Sequence, residues 1–195
     1  MNMVDFYKHL EEARQVFGAV SAEVENLRRA AGICVESLAG GGTVFACGNG
    51  GSSAQALHLV EELSGRYKNN RAPLRAVALG ADAPALTCIA NDFGYDEVFS
   101  RPLLALGRAS DVLVAFSTSG NSPSIVRALE IARGKRMGTV LLTGQSGGRC
   151  AALAECVVRV PSANNARVQE VHTFFLHGIL EAVEEAVASG KISAA

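Results

Sequence analysis

Apolar residues in the first forty positions recur at helical spacing, at Phe6, Leu10, Ala13, Val16, Phe17, Val20, Val24, Leu27, Ala31, Ile33 and Leu38, and stop at Gly40-Gly41-Gly42. The spacing predicts two helices ahead of a core. From Thr43 the pattern changes to short β-branched apolar runs at 43–46, 75–79, 111–116, 138–143 and 156–160, separated by helical segments. Apart from ends such as Arg75 and Asp111 the runs show little polar alternation, which is the pattern of strands buried on both faces by crossover helices. Such alternation predicts right-handed βαβ units and an open parallel sheet, whose ligands collect at the carboxyl ends of the strands. A last helical pattern runs from 165 to about 189 and ends at Gly190.

Composition narrows the class. The 195 residues are 49% hydrophobic, which suits one compact domain, with helices over 1–39 and an α/β core plus the last helix over 40–195. Eighteen basic and 19 acidic residues are mixed along the chain, giving a net charge of −1, so no basic stripe points to nucleic acid and no polybasic cluster to a membrane surface. The N-terminus is charged from Asp5 and lacks the apolar core of a secretion signal, and no apolar run reaches membrane-spanning length. A soluble, cytoplasmic protein is expected. Cys34, Cys47, Cys88, Cys150 and Cys156 are odd in number, lack a C-x-x-C pair and sit mostly among apolar neighbours, which favours free buried thiols over disulfides or a zinc knuckle.

Two loops carry candidate chemistry. Gly48, Gly50 and Gly51 follow the first strand run, and Ser52 or Ser53 can cap the helix that begins there. Glycines and free helix-terminal N–H groups receive a phosphate well, although a tight turn alone also accounts for them. A dinucleotide fingerprint needs a third glycine where Ser53 stands, and a P-loop needs a Gly-Lys-Ser/Thr that is absent. The second loop is Ser117-Thr118-Ser119-Gly120-Asn121-Ser122-Pro123. Ser122 before Pro123 reads as an ordinary helix cap, but capping does not ask for three more hydroxyls at the end of a buried strand. A neutral hydroxyl-and-amide cradle for a phosphomonoester is the favoured interpretation, because both loops would meet in one crevice.

His58 and Glu62 are four residues apart and share a helix face, with Glu61 one position off it as a solvated charge. Gln169 and His177 are eight apart, so they lie on one broad side of the last helix, a side that His172 can share. Taken singly, each of these, like Glu170 and His9, is equally an ordinary surface group.

In order along the chain, CGNGGS, HLVEELSGRY, IANDFGYDEVFSR, ASDVLVAFSTSGNS, LLTGQSGG, VPS and RVQEVH resemble the sugar isomerase (SIS) domain family, and within it the bacterial phosphoheptose isomerases. The resemblance covers nearly the whole chain. It implies a three-layer α/β sandwich with a five-stranded parallel sheet of flavodoxin-like type and extra N-terminal helices. It further implies a homotetramer with active sites near subunit interfaces, the N-terminal and last helices packing between subunits.

The implied activity is an aldose–ketose isomerisation of sedoheptulose 7-phosphate to glycero-manno-heptose 7-phosphate through an ene-diol. This would be the first step of nucleotide-activated heptose synthesis, for lipopolysaccharide core, capsule or glycoprotein. By the same resemblance Ser52, Ser117, Thr118, Ser119 and Ser122 hold the phosphate, Asn49, Gly50 and Gly51 shape the sugar site, and Asn91 and Asp92 lie near the sugar hydroxyls. His58, Glu62, Gln169 and His177 match a zinc-binding set, one ion per subunit; Glu62 and Gln169 also touch substrate, and Glu62 and His177 match the acid–base pair. The chemistry agrees with the residue types, since moving a proton between C1 and C2 needs one base for carbon and an acid–base group for the oxygens.

Two departures stand out. Ala166 occupies a position where isomerases of this family often carry aspartate, so that either Asn164 or Asn165 takes over its contacts or the interaction is missing, and Ser53 replaces a histidine found in some members. The competing expectation is a non-catalytic SIS tetramer that binds the replication initiator DnaA; such paralogues lack counterparts of Glu62 and His177, which this chain has. A sugar-phosphate sensor ranks lower, since no helix-turn-helix module or basic region accompanies the domain.

Overall fold

The computed structural model describes residues 4–193. Helix α1 (Phe6–Ala19) and helix α2 (Val24–Ala39) are joined by one tight turn at Val20–Glu23, as the helical spacing predicts. Strands β1 (Val44–Gly48), β2 (Ala76–Ala78), β3 (Val112–Ser117), β4 (Gly138–Thr143) and β5 (Cys156–Arg159) follow. They alternate with α3 (Gly51–Ser64), α4 (Ala83–Phe93), α5 (Ser100–Leu106), α6 (Pro123–Gly134) and the long α7 (Asn165–Ala188). All pairings are parallel and the order is β2-β1-β3-β4-β5, so the sheet reverses direction of growth between β1 and β3. That reversal is where ligands of open sheets bind.

Successive strand residues point to opposite faces. Val44, Ala46, Val112, Val114, Phe116, Val140 and Leu142 pack with residues of α2, α3 and α7. Phe45, Cys47, Leu113, Ala115 and Leu141 pack with residues of α5 and α6. Both faces of β1, β3 and β4 are thus covered, which explains their unbroken apolar runs; β2 and β5 lie at the edges and are only partly buried. Asp111, the polar residue that opens the third run, is buried with both carboxylate oxygens used, accepting from the Thr43 N–H at 2.8 Å and the Arg108 N–H at 2.7 Å. The stretch 80–110, one of the helical segments expected between the strand runs, is divided into α4, which has no buried residue, and the short α5.

All five cysteines are free and Cys34, Cys47, Cys150 and Cys156 are buried, while Cys88 is exposed on α4. Burial pushes the Cys34 thiol up to about 12, so it is an inert packing group at neutral pH.

Candidate active site

The two loops leave neighbouring strands and meet at the reversal point. Gly48 of β1 pairs with Phe116 of β3, so the Asn49–Ser52 turn and the Ser117–Ser122 loop start side by side. Gly50 adopts φ 56° and itself occupies the cap position of α3, which corrects the expectation that Ser52 or Ser53 caps this helix. Ser52 lies inside the first turn and is buried. Asn49 is held from both ends: its Nδ2 donates to Ser124 Oγ at 3.0 Å and its Oδ1 accepts from the Tyr95 hydroxyl at 2.9 Å. Neither Tyr95 nor Ser124 had any local signal in the sequence.

In the second loop Gly120 turns the chain with φ 65°, and its N–H meets Ser117 Oγ at 3.1 Å. Ser122 stands at the cap position of α6, but its hydroxyl makes no capping bond, contrary to the ordinary-cap interpretation. Its hydroxyl is left for another acceptor or donor. The loop is backed by the 144–150 segment, through Gly144 N–H to Thr118 O at 3.1 Å, Cys150 N–H to Gly120 O at 2.8 Å and Arg149 N–H to Asn121 Oδ1 at 2.9 Å.

Helices α3 and α7 lie alongside each other beside these loops. Gln55 Nε2 donates to the Gln169 carbonyl and, at 3.4 Å, to Thr173 Oγ1. His58 Nε2 stands 3.4 Å from Glu62 Oε1, and the His58 and His177 rings meet edge to face with centroids 5.2 Å apart. Glu61 is exposed as expected, yet donor atoms of His58, Glu61 and Glu62 all lie within 4.8 Å of one another. Tyr67, a residue with no role in the sequence expectations, stacks on His177 at 5.7 Å and 25° and offers its hydroxyl to Glu181 Oε1 at 3.3 Å. Burial, and next the adjacent His58, hold the His177 imidazole below its ordinary range against the pull of Glu62 and Glu181, so it is neutral at pH 7, with a lone pair for a proton or a metal.

Gln169 is placed apart from that cluster. Its side-chain amide lies against Gly51, where a Cβ would come 2.5 Å from Nε2 and 3.0 Å from Oε1, two turns of α3 before His58. Gly51→Ala is therefore expected to displace the flexible end of Gln169 while leaving the fold nearly as stable; urea unfolding checks the second point and KM for the sugar phosphate, raised severalfold, the first.

His172 does not share the Gln169–His177 side. It is fully buried against Phe116, and burial drives it down to about 4 against the opposing pull of the Thr143 backbone, so it is a neutral core group. Asn91 and Asp92 bond to each other at 2.7 Å on the exposed α4, with no bond to either loop. Asn164 caps α7, accepting from Ala166 N–H at 3.1 Å and donating to Glu12 Oε1 at 2.9 Å, so its side chain is already engaged.

Comparison with known proteins shows the family. The SIS domain model matches residues 8–144. A phosphoheptose isomerase of Yersinia pestis (strain Pestoides F) is 45% identical over 165 residues, 84% of this chain and 85% of the relative. The structure of phosphoheptose isomerase GmhA from Neisseria gonorrhoeae superposes with a TM-score of 0.87 at 38% identity, covering 92% of this chain and 97% of that one. A phosphoheptose isomerase from Francisella tularensis gives 0.89 at 32% identity, covering 92% and 96%. With a five-stranded sheet of the same architecture and two hydroxyl-rich loops at its reversal point, the chain belongs to the SIS domain family, in the group of the phosphoheptose isomerases.

Proposed function

We propose that the protein interconverts sedoheptulose 7-phosphate and glycero-manno-heptose 7-phosphate. The reading is supported by two uncharged, hydroxyl-bearing loops that start side by side at the carboxyl ends of β1 and β3, and by the His58–Glu62–His177 cluster that α3 and α7 carry further along. The relatives named as phosphoheptose isomerases supply the substrate class.

In the proposed reaction Ser52, Ser117, Thr118, Ser119 and Ser122 hold the phosphate, and Asn49, Gly50, Gly51, Asn91, Asp92 and Gln169 bound the sugar. Glu62 removes the proton from C1 of the open-chain ketose and returns it to C2, while His177 moves the hydroxyl proton from O1 to O2. The intermediate is the ene-diol, so no group leaves and no redox partner is needed. The depressed, neutral His177 suits this shuttle, since a permanently protonated imidazole could not accept the O1 proton.

His58 and Glu62 offer the nitrogen and oxygen donors that zinc prefers, within 4.8 Å of each other and of Glu61, so this part of the set fits a metal; His177, whose ring meets His58 edge to face at 5.2 Å, would have to bring a ring nitrogen round to complete it. Gln169, resting against Gly51, would have to turn along the helix face to join them. When bound there, zinc would polarise the sugar oxygens.

Assembly as a homotetramer is part of the proposal. It is supported by the apolar face of α1, where Phe6, Tyr7 and Leu10 stand 77%, 85% and 68% exposed, and by a 690 Å³ groove between α2 and α7 lined by Leu27, Ala31, Gly178 and Ala182. Light scattering at four protomer masses checks it. No helix among the described residues is long and apolar enough to cross a membrane, in keeping with the proposed cytoplasmic location.

The deciding experiment is incubation with sedoheptulose 7-phosphate and detection of the aldose heptose 7-phosphate, with and without prior chelation. Turnover is expected, and its full survival in metal-free protein would remove zinc from the chemistry. Absence of turnover combined with capture of DnaA would favour the adaptor role, which the named relatives do not support.

A further inference from the structure

Between α3 and β2 the chain runs as an irregular strap, from which Tyr67, Lys68, Asn69 and Arg71 turn towards α7. Arg71 is the centre of it. Its side chain is 4% exposed and pairs through Nε with Glu184 Oε1 at 2.8 Å, the Glu184 side chain being 7% exposed. The remaining guanidinium donors go to main-chain carbonyls, of Glu62 at 2.7 Å, Leu63 at 2.9 Å and Ala72 at 3.1 Å. Glu184 Oε2 accepts from the Asn69 N–H at 3.1 Å and from Asn69 Nδ2 at 2.8 Å. Burial pushes the Glu184 carboxyl up, but the bonds from Arg71 and Asn69 outweigh it and leave the group below its ordinary range.

A buried ion pair is weak evidence for stability, because desolvation offsets most of its attraction. What this pair does is geometric. The carbonyls of Glu62 and Leu63 belong to the last turn of α3, where helical acceptors have no partner within the helix. A planar guanidinium can hold two such carbonyls and a carboxylate at once; an ammonium has no such fork. Glu184 lies two turns beyond His177 on α7, so one side chain connects the backbone of Glu62 to the helix that carries His177. Tyr67 of the same strap presses on the His177 ring.

We infer that Arg71 is a positioning residue: by bonding the Glu62 carbonyl and pairing with Glu184, it sets the spacing of Glu62 against His177. The assignment rests on the isomerase function proposed above. Arg71→Lys tests it, with Glu184→Gln as the second variant, since that change keeps the carbonyl contacts and weakens only the tie to α7.

In folded, fully assembled Arg71→Lys, kcat is expected to fall by about ten- to a hundredfold with KM nearly unchanged, because the Ser117–Ser122 loop hangs from a different strand. Affinity for zinc alone, measured by chelator competition, is expected to fall about tenfold. Parental kcat and parental zinc affinity in both variants would overturn the assignment, and so would a fall in kcat no larger than the fall in folded fraction. A parent protein that binds zinc but does not turn over sedoheptulose 7-phosphate would defeat the isomerase function and leave zinc affinity to decide on Arg71. A parent with neither property overturns both.

Discussion

Glu62→Gln is expected to lower kcat by about a hundred- to ten-thousandfold while KM stays close to the parental value. The substitution is isosteric, and the side chain it replaces is 17% exposed in the last turn of α3, so neither packing nor the main-chain contacts to Arg71 should change. What disappears is a group able to accept a proton from carbon. In the proposed reaction phosphate binding belongs to the Ser117–Ser122 loop of β3, which would contribute to ground and transition states alike and so fix KM rather than kcat. His177→Gln is expected to behave similarly, through loss of the oxygen shuttle. Because both residues are also candidate metal donors, zinc content is measured beside the kinetics. Near-parental turnover in both assembled variants would reject the assignment, whatever the metal content.

The parts of this site that the sequence shows are those governed by local rules. β1, β3 and β4 are recognisable because both faces are buried and no polar alternation interrupts them. The two loops are recognisable because positive φ at Gly50 and Gly120 asks for glycine, and because hydroxyls crowd the end of a buried strand. His58 and Glu62 are legible as a helical i, i+4 pair. The strap was illegible for the opposite reason. Arg71 and Glu184 are separated by 113 residues and come together only through the packing of α3 on α7, a relation that no period along the chain encodes. The same holds for Tyr95 and Ser124, which orient Asn49 from two other elements. His172 misled because helical spacing assigns a side only to within a broad arc; its ring falls on the core edge of that arc, against Phe116.

Gly120→Ala is expected to be strongly damaging to the Ser117–Ser122 loop, the proposed phosphate site. The residue has φ 65°, and a Cβ there would run into the Gly147 carbonyl and come 2.9 Å from the Gly148 nitrogen. Both obstacles are backbone, unlike the side-chain end that Gly51→Ala meets at Gln169. Relief requires the Ser117–Ser122 loop to move away from the 144–150 segment, which strains the bonds from Cys150 N–H to Gly120 O and from Gly144 N–H to Thr118 O. Strain at a left-handed position together with lost buried bonds gives a destabilisation of about 3 kcal/mol, read as a lower urea midpoint with unchanged m. The protein that remains folded should bind inorganic phosphate more weakly and show a raised KM, with kcat per folded site less affected because Glu62 and His177 hang from α3 and α7. A variant with parental stability and parental phosphate affinity would mean that the two loops are not rigidly joined, and the hydroxyl cradle would then have to be assembled by the substrate itself.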